Sequence, residues 1–119
     1  MDFGVKARTV NEIGVVDLLG EVDVYTTPRA KETMLALLEQ GVVRIVVNLA
    51  QTEYLDSTAL GALVGVLKRA RERGGEVRLA GPSARLLRLL EITGLIQVFP
   101  VDEDEAHAIA AFEAEGAKK

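Results

Sequence analysis

A carboxylate followed by two hydroxyls, Asp56-Ser57-Thr58, stands within the run Leu55-Asp56-Ser57-Thr58-Ala59-Leu60-Gly61. Side chains of these types do one of two things where an apolar helix begins. They accept hydrogen bonds from the unpaired N–H groups that open the helix. Alternatively, a hydroxyl there takes up a phosphoryl group, whose charge those N–H groups and the helix dipole both favour. A nucleophilic use of Ser57 lacks a base, because the one histidine, His107, lies far along the chain. The flanking residues also do not form the G-x-S-x-G turn that exposes a nucleophile. Capping and phosphorylation are the two readings that remain, with Thr58 as the rival acceptor.

Other reactive-looking groups carry less. Asp23 follows an apolar stretch, and in a parallel sheet it would share one edge with Asp56 and Ser57, where open α/β sheets place their sites. The run Asp102-Glu103-Asp104-Glu105 lacks the spacing of a calcium loop and suits the start of a helix. With no cysteine and one histidine, no metal site is expected. Gly74-Gly75 and Gly81-Pro82-Ser83 do not match phosphate-cradling loops, so no nucleotide or other cofactor is expected. Gly61 and Gly65 lie one turn apart and permit close approach of another backbone. The simpler occupant is the chain's own sheet, and the sharper one is a partner.

The elements that must hold these residues follow from patterning. Residues 3–9 and 13–19 read as strands joined by a turn at Asn11-Glu12, and 20–26 as a loop leaving the sheet. Thr27-Pro28 opens a helix, with Thr27 as its cap, and Gly41 stops it. Residues 44–49 form a buried strand, 60–73 a helix closed by Gly74-Gly75, and 76–80 a further strand. Ser83 caps a leucine-rich helix that ends at Gly94, and 96–100 is a last short strand. Asp102 opens a final helix, with Glu105 completing a capping box.

Strands joined through helices run parallel with right-handed crossovers. This predicts one α/β domain over residues 1–115, with a mostly parallel sheet of about four to five strands and about four helices. Residues 116–119 are expected as a frayed tail. The chain of 119 residues, 49% of them hydrophobic, is long and apolar enough to bury a core without staples. A net charge of −4 argues against a nucleic-acid partner. No apolar run reaches the length of a membrane span, and no signal-peptide pattern opens the chain. A cytoplasmic protein is expected.

Taken in order, Gly20-Glu21-Val22-Asp23, Val47-Asn48-Leu49, residues 55–61, Gly74-Gly75 and Thr93-Gly94-Leu95 resemble the STAS domain of bacterial anti-sigma factor antagonists. The resemblance spans nearly the whole chain. It implies a non-enzymatic regulator of transcription that works by partner switching. When unphosphorylated, such a protein binds an anti-sigma factor that is also a serine kinase, and so frees a sigma factor. The kinase phosphorylates the serine after the motif aspartate, and a serine phosphatase resets it. Carried onto this chain, the resemblance makes Ser57 the phosphoacceptor. Asp23, Asp56, Ser57, Thr58, Ala59 and Gly61 become the partner-binding residues. Many members have glycine where Ala59 stands, which adds a methyl group at the expected docking surface. The alternative within the fold is a constitutive scaffold of a transporter-associated or stress-sensing assembly, and the Asp56-Ser57 pair favours the antagonist.

Overall fold

The computed structural model describes residues 3–117. The chain opens with a hairpin of β1 (Gly4–Val10) and β2 (Ile13–Val22), turned at Asn11 and Glu12, both with positive φ. There follow α1 (Thr27–Glu39), β3 (Arg44–Asn48), β4 (Thr52–Leu55), α2 (Ser57–Glu72), β5 (Glu76–Ala80) and α3 (Ala84–Ile92). A single 3₁₀ turn (Leu95–Gln97), β6 (Val101–Asp102) and α4 (Glu105–Ala117) complete it. The sheet order is β1-β2-β3-β5-β6, with β4 pairing the far end of β2. Among the described residues only the β1–β2 pair is antiparallel.

Alternation along the strands divides the core between two faces. Val16, Leu18, Ile45, Val47, Val77 and Leu79 point to the side packed by α1, α2 and α3. Ile13, Val15, Val46 and Ala80 point to the other side, where Ala108 and Phe112 of α4 meet them. Burying one such large side chain contributes roughly 1.5 to 3 kcal/mol, so α4 is anchored chiefly by Phe112. Arg78 holds the same helix from the sheet, with its guanidinium 5.6 Å from the Phe112 ring centroid and 3.2 Å from Glu115. Gly75 is required by close approach, because a Cβ there would lie 1.9 Å from the Val43 carbonyl oxygen.

Several boundaries differ from the sequence expectation. The sheet has six strands: 20–22 extend β2, and the short β4 pairs with them through Gly20, Glu21 and Val22. Residues 96–100 are not a strand. Gly94, at φ +78°, starts a 3₁₀ turn, and Phe99 plugs the core, so the last strand is Val101–Asp102. Asp102 therefore belongs to β6, bound by both ends of the Arg78 guanidinium at 2.8 and 3.1 Å. The final helix starts at Glu105, and the carboxylate that takes its free N–H is Asp104, from His107 at 2.8 Å. At α1 the cap position is Thr26, while Thr27 is the first helical residue, with its hydroxyl buried and unpaired. Gly116 and Ala117 belong to α4, and the rest of the expected tail lies outside the described residues.

Candidate functional site

The site is assembled where β2 and β4 end side by side. Val22 is in parallel register with Leu55, and the Asp56 N–H donates to the Val22 carbonyl at 3.1 Å. This one backbone bond ties the β2–α1 loop, which starts with Asp23, to the entrance of α2. The neighbour of β2 at this edge is thus β4. Sequence patterning would have used β3.

Asp56 is the N-cap of α2, extended at φ −90° and ψ −179°, and its Oδ1 accepts the Ala59 N–H at 2.9 Å. The helix therefore begins at Ser57, three residues before the apolar periodicity marks it. Ser57 and Thr58 are both exposed in the first turn of α2. Their amides take no partner among the described residues, as the first turn of any helix requires. Capping thus belongs to Asp56 alone, and the Ser57 hydroxyl is left free at the positive end of a helix dipole.

Asp23 has different work. Its Oδ1 accepts the N–H groups of Tyr25 and Thr26 at 2.9 and 3.0 Å, and lies 3.1 Å from the Thr26 hydroxyl. In return Thr26 Oγ1 accepts the Asp23 N–H at 2.9 Å. Partial burial pushes the Asp23 carboxyl up, but the hydrogen bonds from Thr26 and Tyr25 together outweigh it and leave the group below the usual carboxylate range. Asp23 is therefore a charged brace for the loop. Sequence reading missed Thr26, although its spacing from Asp23 is that of a reciprocal side-chain turn. It also missed Val24 and Tyr25, which the braced loop holds 53% and 88% exposed.

Two further residues part ways. Ala59 is 2% exposed and packs into the core, so its methyl group faces inward and it serves the site through its amide. Gly61 is exposed, and a Cβ at Gly61 or Gly65 would meet nothing within 4 Å. The close approach these glycines permit is not made by the chain's own sheet. The buried face of α2 is Ala59, Leu60, Leu63, Val66, Leu67 and Ala70. Asp23, Asp56, Ser57, Thr58 and Gly61 are the members of the expected site that reach the surface.

The acidic run carries an imidazole rather than a site. His107 Nδ1 lies 2.7 Å from Asp104 Oδ1, and this hydrogen bond, then the charges of Asp104 and Glu103, hold the imidazole above its ordinary pKa. The ring is 62% exposed at the far end of the chain from Ser57.

The STAS domain family matches residues 4–108, which takes in every element from β1 to the start of α4. The chain belongs to the STAS domain family of anti-sigma factor antagonists. The anti-sigma-B factor antagonist of Staphylococcus aureus (strain NCTC 8325 / PS 47) is 38% identical over 103 residues, covering 87% of this chain and 95% of that protein. An anti-sigma factor antagonist from Mycobacterium paratuberculosis superposes with a TM-score of 0.79 at 26% identity, over 92% and 93% of the two chains. The anti-sigma factor antagonist SpoIIAA shares the fold in its unphosphorylated form, with a TM-score of 0.71 at 21% identity over 97% and 99%. The phosphorylated form of this Bacillus protein matches equally, at 0.72 and 22% over 93% and 99%. Among the described residues of the present STAS domain, no helix is long and apolar enough to cross a membrane.

Proposed function

We propose that this STAS domain binds an anti-sigma factor with serine kinase activity while Ser57 is unphosphorylated, and so releases a sigma factor. Phosphorylation of Ser57 by that kinase breaks the complex, and a serine phosphatase restores it. The domain itself catalyses nothing in this cycle, which runs in the cytoplasm without nucleic acid or membrane insertion. The observation that carries the reading is Ser57 itself: an exposed hydroxyl in the first turn of α2, relieved of capping by Asp56. A related domain solved in both phosphorylated and unphosphorylated forms supports the same chemistry.

The physical effect of the phosphate is interfacial. It adds about 1.5 to 2 negative charges at neutral pH. The helix N-terminus stabilises such charge by roughly 0.3 to 2 kcal/mol, while Asp56 and Asp23 repel it, so the fold is nearly indifferent. Burying an uncompensated charge against a partner costs several kcal/mol. Each 1.4 kcal/mol or so is tenfold in affinity, so a loss of a hundredfold needs no change of shape.

Titration calorimetry against the anti-sigma factor tests this. Ser57→Ala is expected to bind like wild type and to stay bound when kinase and ATP are supplied. Ser57→Asp is expected to fold and to bind at least about a hundredfold more weakly. Equal affinities for wild type and Ser57→Asp would contradict the interfacial-charge mechanism.

A further inference from the structure

A second surface lies beside the Ser57 site and is not explained by it. Between β4 and α3 runs a groove of about 260 Å³ with an apolar floor. Leu89 and Ile92 line it from α3 and Tyr54 from β4. Ile92 is 72% exposed and Tyr54 47%, although α3 buries Leu86 and Leu90 in the core. Arg85, Arg88, Leu89 and Ile92 fall at helical intervals on one stripe of α3, flanking the buried Leu86, which also lines the groove. A solvated helix face would carry charge at the Ile92 position, whereas here charge stands only at the start of the stripe.

The charges specify the occupant. Neither Arg85 nor Arg88 has an ion-pair or hydrogen-bond partner among the described residues, and Glu53 is the only carboxylate on the groove. This local excess of positive charge stands against a net charge of −4 for the whole chain. Along the chain only Leu55 and the capping Asp56 separate Tyr54 on the groove from Ser57. We propose that the β4–α3 groove docks an acidic amphipathic segment of the partner protein, whose apolar side chains cover Tyr54, Leu89 and Ile92 while its carboxylates meet Arg85 and Arg88. The identity of that partner rests on the function proposed above; the chemistry of the segment does not. One partner would then hold two adjoining areas, of which only the Ser57 area changes charge on phosphorylation.

The probe is a synthetic 16-residue amphipathic helix of leucine and glutamate, compared with its leucine–lysine counterpart, titrated into the full chain by heteronuclear NMR. The acidic peptide is expected to shift the amides of Tyr54, Leu89 and Ile92. Its affinity is expected to fall at least fivefold in the Arg85→Glu/Arg88→Glu variant, and as much in Ile92→Asp. Thermal melts would verify that both variants fold, which their exposed positions favour. Equal binding of both peptides, shifts elsewhere on the surface, or no shift at all would overturn the proposal. The peptides carry no kinase, so this titration reads the groove alone; groove binding by a chain whose Ser57 is found unmodified in its own cells would sink the switch and keep the groove. The reverse pattern would sink the groove and keep the switch.

Discussion

At the scale of the residue, two neighbours divide two tasks that sequence chemistry left shared. Asp56 satisfies the Ala59 amide, and the Ser57 hydroxyl has no partner among the described residues. Replacing Asp56 by alanine is therefore expected to destabilise the domain by about 0.5 to 2 kcal/mol, the cost of a lost cap, in a denaturant titration. Ser57→Ala should leave the midpoint where it is. If both substitutions proved equally costly, Ser57 would share the capping after all. Asp56 and Ser57 were legible because residue type and spacing mark a helix entrance, whereas the spacing of Gly61 and Gly65 pointed to packing on the chain's own sheet, which is not where they face. Thr26 and the inward turn of the Ala59 methyl group were not legible. The first depends on a loop closing on itself, the second on which side of α2 meets the sheet.

At the scale of the element, the strands and helices with clear periodicity were readable, and the short pieces were not. β4 has only four residues, and it pairs with the end of β2 across a register shift at Gly20/Glu21. No local pattern announces such a strand. The 95–99 segment is apolar without alternation, so its composition did not separate a strand from a turn that seats Phe99. Helix α2 offers a test that separates stability from docking. Gly61→Ala adds a methyl group into open space within a helix, which should stabilise the fold by up to about 1 kcal/mol. The same methyl stands on the proposed partner surface, so affinity for the anti-sigma factor should fall while the melting temperature rises. Unchanged affinity would remove Gly61 from the interface. Gly75→Ala has the opposite character. Its Cβ would collide with the Val43 carbonyl, so β5 must shift and the melting temperature must drop.

At the scale of the whole molecule, a sheet with helices on both faces leaves one edge where the β2–α1 loop and the α2 entrance meet. Fold class and parallel connectivity could be read from alternating strands and helices, whereas the strand that brings Asp23 beside Asp56 could not. The proposed switch is a charge added at the surface, so phosphorylation of Ser57 should move the melting temperature by no more than about 4 °C, the shift expected for 1 kcal/mol in a domain of this size. His107, near the start of α4, carries a pH dependence of its own. Its folded pKa is raised by Asp104, so the stabilisation it contributes is fully present below the unfolded value near 6.5 and is lost as pH rises through the raised folded value. An NMR titration should find the imidazole of wild type ionising at higher pH than that of Asp104→Asn, which keeps a capping oxygen but no charge. Identical titrations would dissociate the pair.

The most direct test is intact-mass spectrometry of the protein isolated from its own cells under several growth conditions, followed by peptide mapping. The expected result is a single added phosphate on Ser57 in a fraction of molecules that varies with condition, and none on Thr58. A chain unmodified under every condition, or one carrying its phosphate elsewhere, would contradict a switch at Ser57.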